Sequence, residues 1–459
     1  MELLPGKQIA FQRMLDTIRR GFERFGFWPI ETPVFELTDV LLTKTGGETE
    51  KQVYFVESTG SLQKRADAKE RDGKADARPE HALRFDLTVP LARYVAQHEN
   101  ELTFPFRRYQ IQRVYRGERN QAGRYREFYQ CDIDVVGKDT LSLAYDAEVP
   151  AIIHGIFTEL AFGAFAIRIN NRRLLKGLLE TLGITPELHA AVLHEVDRLG
   201  KQSRDDVAKR LVTAGLGEPE RLLDVLTAHR GDSQGALAAL HAIPSPTPSL
   251  ATGIEELQRV YEGTLALGVP ASGCVIDLSI VRGLDYYTGT VYETFLTEHA
   301  DLGSICSGGR YDNLAEHYTK SRLPGVGISI GATRLFYQLE RLGLVGDATT
   351  AVAQVMVLSL DPQLAGRYAR LATELRGAGV NVEVYGAGDK FAKQLKYADK
   401  SRVPLALILG QQEDSRGIVK LKDLRDPSGA NEHEVAPDQL VARVQELLAR
   451  RPQPKLDPA

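Results

Sequence analysis

The chain has 459 residues, more than one hydrophobic core usually holds, so its length predicts two to four folding units. Hydrophobic residues make up 43% and charged residues 26%, as in soluble globular proteins, and no apolar run reaches the roughly 18 residues that would span a bilayer. Because the net charge is -4, any nucleic-acid partner must be attracted by local basic patches. The three cysteines are scattered and the N-terminus has no signal-peptide pattern, which predicts a cytoplasmic protein.

The first 170 residues predict a helix followed by strands. Apolar positions at helical spacing predict an amphipathic helix over residues 9–25. Residues 57–80 are charged and nearly free of large apolar side chains, which predicts an exposed loop or arm. Two strand-like runs around a polar loop then predict an antiparallel hairpin over residues 108–137.

A helical segment interrupts this pattern. Residues 171–265 are rich in Leu, Ala, Arg and Glu at helical spacing, which predicts an inserted helical domain. Strand-like texture returns at residues 274–280 and 290–296, and residues 327–342 predict a helix. The first domain would then be discontinuous, with residues 1–170 joined to residues 266–345.

The C-terminal part alternates strands and helices. The order strand, helix, strand, helix, strand, strand, helix predicts a small mixed sheet covered by helices. We expect a separate domain over residues 350–451 and a disordered tail over residues 452–459.

The predicted hairpin places polar residues on one face. Side chains alternate faces along a strand, so the even positions of its second strand are polar apart from Phe128, whereas the odd positions are largely apolar. Aromatic, arginine, amide and carboxylate groups together could form the floor of a site for a nucleotide base and a small polar substrate. A half-buried strand with one solvated face would show the same alternation.

Arginines are concentrated in the same hairpin. From Phe106 to Arg126 there are seven arginines against one acid, Glu118. This segment predicts either a positive field for phosphates or a solvated charged hairpin.

Residues 107–137, RRYQIQRVYRGERNQAGRYREFYQCDIDVVG, resemble the second signature motif of class II aminoacyl-tRNA synthetases in its histidyl form. The resemblance implies that Arg116 holds the α-phosphate of ATP and that Phe128 stacks on adenine. The residues that it places near ATP are Arg116, Glu118, Arg124 and Phe128. It also implies that Gln130 and Asp134 face L-histidine.

Residues 282–293, RGLDYYTGTVYE, resemble the histidine-specific motif of the histidyl-tRNA synthetase family. Taken alone, the loop would be a tight turn closed by an ion pair. The resemblance implies instead that Arg282 contacts the reacting carboxylate and the α-phosphate, and that Tyr286 and Tyr287 line the amino-acid pocket. Neutral imidazole offers one donor and one acceptor, so Asp134 and Tyr287 could bind both of its edges.

Shorter strings resemble the family less specifically. Residues 84–90, RFDLTVP, resemble the segment that binds the substrate through Asp86, Leu87 and Thr88, although such a string also caps helices. Thr32-Pro33 matches the first class II motif, which builds the dimer interface.

Two glycine-containing strings complete the match. Residues 307–312, SGGRYD, resemble a glycine turn that places Tyr311 near the substrate. Residues 325–334, GVGISIGATR, resemble the third class II motif, in which Arg334 grips the γ-phosphate side of ATP and Gly327 leaves room for the substrate.

The resemblance covers nearly the whole chain. It implies an α+β class II synthetase catalytic domain, an antiparallel sheet flanked by helices, with a helical insertion and a C-terminal α/β anticodon-binding domain. The implied activity is ATP-dependent activation of L-histidine to histidyl-adenylate, with release of pyrophosphate, and transfer to the 3' end of tRNA(His). Mg²⁺ as a cofactor, a homodimer and the absence of a membrane partner are also implied, and the spacing of metal-ligating residues predicts no metal site built by the protein alone.

Two other interpretations stay open. A catalytically silent paralogue, such as the regulatory subunit of ATP phosphoribosyltransferase, commonly lacks both the 282–293 motif and the anticodon-binding domain. The second interpretation is a related synthetase for threonine, proline or glycine. Threonyl enzymes bind zinc through Cys and His, and the three cysteines of this chain do not have the spacing of zinc ligands.

Overall fold

The computed structural model describes residues 1–42, 52–63, 78–118, 123–200, 202–281, 287–313, 315–345, 351–426 and 431–450. The chain divides into two compact units, one with residues 1–2 and 11–346 and the other with residues 3–10 and 347–459. None of the described helices has both the length and the apolar character needed to cross a membrane. The predicted tail and most of the charged arm lie outside the described residues.

Two sheets organise the first unit. Its described strands are β1 (Trp28–Pro29), β2 (Phe35–Leu37), β3 (Phe55–Val56), β4 (His81–Leu83), β5 (Phe106–Tyr115), β6 (Glu127–Val136), β7 (Phe165–Asn171), β8 (Cys274–Ile276), β9 (Thr290–Leu296), β10 (Cys306–Tyr311) and β11 (Gly325–Ile330). The central sheet has the order β1-β5-β6-β11-β10-β9-β7-β8 and is antiparallel except at β1-β5 and β7-β8. A small sheet has the order β2-β4-β3.

Helices flank the central sheet. Those described are α1 (Pro5–Arg24), α2 (Thr38–Leu42), α3 (Thr88–Gln97), α4 (Ala144–Leu160), α5 (Arg172–Thr181), α6 (Pro186–Val196), α7 (Arg204–Thr213), α8 (Pro219–Thr227), α9 (Ser233–His241), α10 (Pro248–Ala266) and α11 (Ala332–Arg341). Short 3-10 helices cover Asp197–Gly200 and Ala300–Leu302. The run from α5 to α10 begins where Asn171 accepts hydrogen bonds from the backbone N–H groups of Arg173 and Leu174.

One predicted helix is wrong at its start. Residues 325–330 form strand β11 between β6 and β10, and the helix begins only at Ala332. Val326, Ile328 and Ile330 alternate with small residues. The periodicity of a short apolar run that is buried on both faces does not, however, distinguish a strand from a helix.

The second unit contains a five-stranded mixed sheet of order β13-β12-β14-β15-β16. Its strands are β12 (Val355–Val357), β13 (Val382–Val384), β14 (Leu405–Ile408), β15 (Val419–Asp423) and β16 (Glu432–Val435), and its helices are α12 (Ala365–Gly377), α13 (Phe391–Lys400), α14 (Gln411–Ser415) and α15 (Leu440–Ala449), with short 3-10 helices at Pro362–Leu364 and Pro437–Gln439. The predicted fold class is confirmed in both units. The polar strand β16 and the short helix α14 were not predicted.

Candidate functional site

A row of polar side chains crosses the face of the central sheet. Residues directly opposite each other in neighbouring antiparallel strands point to the same face. The strand register therefore aligns five polar residues from five strands, in the order Gln110, Asp132, Ser329, Ser307 and Glu293. A second row, two residues along, aligns Arg108, Asp134 and Gly327.

All members of these rows except Gln110 and Arg108 line a pocket of about 500 Å³. Twelve of the residues that the sequence predicted for a site line it: Asp86, Thr88, Arg116, Glu118, Arg124, Phe128, Gln130, Asp134, Tyr287, Tyr311, Gly327 and Arg334. Leu87 does not line it, because its side chain is fully buried in the core. Arg282 and Tyr286 lie outside the described residues.

Asp134 is held from two sides at the floor of the pocket. Its Oδ2 lies 2.5 Å from Nη2 of the fully buried Arg108, and its Oδ1 accepts a 2.8 Å hydrogen bond from the Tyr311 hydroxyl. Burial raises the pKa of Asp134 to about 6, although Arg108 and Tyr311 oppose the rise. The carboxylate is therefore oriented before any ligand arrives, and it is ionised above neutral pH.

Two glycines of β11 make room for this arrangement. A Cβ atom on Gly327 would lie 2.3 Å from Asp134 Oδ1 and 2.2 Å from the Ile133 carbonyl oxygen. A Cβ atom on Gly325 would lie 2.3 Å from the ring of Tyr311. Gly327 therefore leaves room for the Asp134 side chain, in addition to the room for a substrate that the motif resemblance implies.

A cation and an aromatic ring lie together at the other end of β6. The Arg116 guanidinium carbon is 5.2 Å from the centre of the Phe128 ring, and its Nε donates to the Phe85 carbonyl oxygen at 2.9 Å. Glu118 pairs with the half-exposed Arg124 at 3.2 Å. This end can bind a planar aromatic group and an anion at the same time.

Asp86 has two contacts of different kinds. Its Oδ1 accepts a 3.1 Å hydrogen bond from the backbone N–H of Val89 near the start of α3, as a helix-capping residue does. The side chain also lines the pocket, where burial raises its pKa against the opposing effects of the Val89 hydrogen bond and the Arg116 charge. The capping interpretation and a binding role are therefore compatible.

The alternative interpretation of β6, a half-buried strand with one solvated face, does not fit the burial of its polar side chains. Asp132 is 2% and Asp134 3% exposed, so the polar face is covered rather than open. The arginine cluster is also divided, because alternation places Arg108 and Arg113 on opposite faces of β5. Arg108 pairs with the buried Asp134, whereas Arg113 pairs with Glu127 at 2.6 Å on the surface.

Asp132, Ser329 and Glu293 line the pocket although no role was predicted for them. Asp132 lay on the predicted polar face of β6, and Glu293 ends the string at residues 282–293. The strand parity was thus a usable signal for Asp132. Nothing local in the sequence indicated Ser329, because its place depends on the pairing of β11 with β6. Among the described residues, no three His, Cys, Asp or Glu side chains are grouped so that they could hold a metal ion.

Comparisons with known proteins agree over the length of the chain. A family model described as histidyl-tRNA synthetase matches residues 1–335, and one described as anticodon binding domain matches residues 354–447. A histidine–tRNA ligase from Xanthomonas axonopodis pv. citri is 54% identical over 453 residues, which cover 97% of this chain and 94% of that protein. One from Xylella fastidiosa is 54% identical over 92% of each chain.

Solved structures show the same fold. The crystal structure of histidyl-tRNA synthetase from Nostoc matches with a TM-score of 0.85 at 38% identity, over 97% of each chain. A Bacillus halodurans structure described as an ATP phosphoribosyltransferase regulatory subunit/histidyl-tRNA synthetase has a TM-score of 0.68 at 21% identity, over 86% of this chain and 94% of that one, and shares the fold alone.

A polar pocket on an antiparallel sheet, in a chain that also carries an anticodon-binding domain, defines the class of aminoacyl-tRNA synthetases. Within that class the matching family model covers more than half of the sequence. The chain belongs to the histidyl-tRNA synthetase family.

Proposed function

We propose that this protein activates L-histidine with ATP to histidyl-adenylate, releases pyrophosphate, and transfers the histidyl group to the 3' end of tRNA(His). The observation that carries the proposal is the oriented Asp134 carboxylate, which shares one pocket with the Arg116 and Phe128 pair. An acceptor for an imidazole N–H and a site for a nucleotide thus lie at the two ends of one strand. The name of the 54% identical relatives, histidine–tRNA ligase, supports the same reaction.

ATP occupies the end of the pocket near Phe128. The adenine ring stacks on Phe128, and Arg116 binds the α-phosphate through its planar fork of donors. Arg124 and Arg334, both lining the pocket, contact the outer phosphates. Glu118, whose carboxylate lines the pocket, would supply an oxygen ligand to Mg²⁺, and the ion would offset the charge of the triphosphate.

Histidine occupies the opposite end. The Asp134 carboxylate accepts the imidazole N–H, and the Tyr287 hydroxyl donates to the other ring nitrogen. Asp86 and Thr88 hold the amino group near the start of α3, and Gln130 faces the same substrate. Because these partners are buried, an amino acid that leaves them unpaired is strongly disfavoured.

Activation needs position and charge neutralisation rather than a base. The histidine carboxylate is already ionised, so it can attack the α-phosphate in line once both are held in place. Arg116 and Arg282 neutralise the charge that develops. Arg282 lies outside the described residues, so its approach to the α-phosphate stays a prediction.

The remaining assignments complete the proposal. Residues 350–451 bind the anticodon, with the basic helix α13 facing tRNA, and residues 171–265 form a helical insertion into the catalytic domain of residues 1–170 and 266–345. The protein is a homodimer, and the first motif lies at its interface. Support for a fixed first motif comes from the buried Arg84, which donates to the carbonyl oxygens of Thr32 at 2.6 Å and Pro33 at 3.3 Å.

Exchange of labelled pyrophosphate into ATP tests the reaction. We expect exchange that depends on histidine and is at background with threonine, proline or glycine. No histidine-dependent exchange would contradict the proposal and favour a regulatory paralogue. Comparable exchange with another amino acid would remove the assigned specificity.

The arginine predicted at the α-phosphate gives a second test. Arg282→Ala should depress the rate of exchange by at least about 100-fold and weaken ATP binding by less than about threefold, because its contact strengthens in the transition state. Equal losses in rate and ATP binding would contradict that role.

A further inference from the structure

A short turn is attached to the helix that carries Arg334. The connection between β9 and β10 contains the 3-10 helix Ala300–Leu302, and its last carbonyl oxygen accepts two hydrogen bonds from α11. Arg334 Nη2 donates to the Leu302 oxygen at 2.7 Å, and Gln338 Nε2 donates to the same oxygen at 3.1 Å. In the described part of the chain, residues 300–303 have no other hydrogen bond to a helix or strand.

The Gln338 side chain has no further hydrogen bond in the described part of the chain. It is 7% exposed, and its Oε1 lacks a partner among the described residues. Because a buried unpaired acceptor costs stability, an apolar side chain of the same size would suit the fold at least as well. The single bond of this amide therefore indicates that the glutamine serves the Leu302 turn.

Helix α11 is a fixed support for both donors. The Thr333 hydroxyl at its start accepts a 2.8 Å hydrogen bond from the backbone N–H of Tyr129 in β6, and the apolar face of the helix is buried. Arg334 and Gln338 are four residues apart and therefore lie on one face of the helix. The turn is thus held by a helix that is anchored to the strand carrying Phe128.

A carbonyl oxygen can orient an arginine without cancelling its charge. It is a neutral acceptor, and a single bond to it uses one of the five N–H donors of a guanidinium group. Arg334 also lines the pocket, so its charge remains at the pocket wall. A carboxylate in place of the Leu302 carbonyl would instead compete with a phosphate for that charge.

We propose that Gln338 is a positioning residue for ATP binding. It holds the Leu302 carbonyl oxygen, and that oxygen fixes the Arg334 guanidinium for the outer phosphates of ATP. Gln338 is not among the residues that line the pocket, so it acts through Arg334. The inference rests on the proposed function, which assigns the outer phosphates to Arg334.

ATP and AMP separate the outer-phosphate contacts from the rest of the nucleotide site. AMP keeps the adenine and the α-phosphate, so it tests the contacts of Phe128 and Arg116 alone. Gln338→Met removes the amide donor at similar volume and helix propensity. We expect it to raise the dissociation constant of ATP, measured without histidine, by about three- to tenfold, the net effect of one hydrogen bond. The dissociation constant of AMP should change by less than about twofold.

Two further variants test whether the effect passes through the turn and Arg334. Gly303 has φ 74° and ψ -170°, a conformation that is essentially restricted to glycine, so Gly303→Ala strains the turn. It should weaken ATP more than AMP, as Gln338→Met does. In an Arg334→Ala background, Gln338→Met should weaken ATP by less than about twofold more, because residues that act through each other are not additive.

Thr264→Val is the matched control for loss of a buried hydrogen bond. Thr264 is fully buried and donates to the Ala147 carbonyl oxygen at 3.1 Å, and neither residue lines the pocket. The variant should lower the thermal midpoint and leave both dissociation constants unchanged. Gln338→Met should instead keep or raise the midpoint, since it also removes an unpaired acceptor.

The inference is overturned by equal losses of ATP and AMP in Gln338→Met, by unchanged ATP binding, or by additive losses in the double variant. A fall in the midpoint as large as that of Thr264→Val would assign Gln338 to the fold and overturn it as well. None of these results affects histidine-dependent exchange by the unaltered protein. Absence of that exchange would instead overturn the proposed function, so the two failures are distinguishable.

Discussion

Two buried arginines in the first unit hold carboxylates in contrasting ways. Arg310 donates from Nε to Asp146 Oδ1 at 3.0 Å and from Nη2 to Asp146 Oδ2 at 2.5 Å. Its Nη2 also donates to the Leu141 carbonyl oxygen at 3.1 Å, and Thr290 donates to Asp146 at 2.7 Å. The acid and its arginine therefore form a closed network.

Arg108, by contrast, forms an open network, in which some buried polar atoms have no hydrogen-bond partner. Its Nη2 lies 2.5 Å from Asp134, but its Nε and Nη1 have no hydrogen-bond partner among the residues that the structure describes. Asp132 and Gln130 beside it each keep an unpaired acceptor. Closed networks hold a fold together, whereas an open network carries polar groups that a ligand can complete. Completeness of pairing therefore distinguishes Asp146 from Asp132, whereas both carboxylate oxygens of Asp134 have a partner.

Breaking the closed network should have the largest effect on stability. Arg310→Ala leaves Asp146 buried without its cation, and we expect a loss of about 3–5 kcal/mol in the free energy of unfolding. Denaturant unfolding of the first unit measures it. Arg113→Ala is the control, since Arg113 and Glu127 form an ion pair whose side chains are 51% and 46% exposed. It should cost less than about 1 kcal/mol. Similar losses in both variants would contradict the distinction.

Crowding the open network should have a smaller effect on stability and a clear effect on binding. Gly327→Ala places a methyl group against Asp134 Oδ1 and the Ile133 carbonyl oxygen, and overpacking of this kind costs about 1–3 kcal/mol. We expect the KM for histidine to rise by at least about tenfold, because moving Asp134 by a fraction of an ångström disturbs its contact with imidazole. Pyrophosphate exchange at varied histidine measures this change.

Gly366→Ala is the matched control for that substitution. Gly366 lies in helix α12, where a new Cβ atom meets nothing within 4 Å. It should leave the KM unchanged and stabilise the helix by up to about 1 kcal/mol. A normal KM in Gly327→Ala would show that Asp134 does not depend on the glycine.

The sequence predicted best what depends on neighbouring residues. Alternation along β6 separated the polar positions, which include Gln130 and Asp134, from the apolar ones, and leucine spacing predicted helices over residues 171–265. Motif resemblance added residues from distant segments, such as Arg334, and the pocket brings them together. Local pattern and motif together therefore account for most of the candidate site.

The pairing of strands that are distant in the chain could not be predicted from the sequence. The polar row joins Gln110 to Glu293 through strands that are far apart in the chain, and only the register shows that Ser329 lies beside Asp132. The same pairing places residues 327–330, for which a helix was predicted, in strand β11. Unpaired acceptors are likewise invisible in a sequence, because pairing is a property of the packed structure.

Removing the charge of Asp132 should stabilise the protein, the opposite of removing Arg310. Burial raises the pKa of Asp132 to about 7 although Arg108 and Ser329 oppose it, and the neighbouring Asp134 and Asp86 carboxylates add to the rise. The folded carboxyl group therefore keeps a proton that the unfolded chain, with an ordinary pKa near 3.9, has already lost. Stability from this group is present at acid pH and falls as the pH rises towards 7.

Asp132→Asn cannot ionise, so its advantage over the unaltered protein should grow from pH 5.5 to pH 8. We expect a thermal midpoint at least about 2 °C higher at pH 8 and a smaller gain at pH 5.5, each measured without histidine. Asp146→Asn is the control and should lower the midpoint at both pH values, because it breaks a closed network. A lower midpoint for Asp132→Asn at pH 8 would mean that its carboxylate is as well satisfied as that of Asp146. The network around Arg108 would then stabilise the fold rather than provide unpaired groups for a ligand.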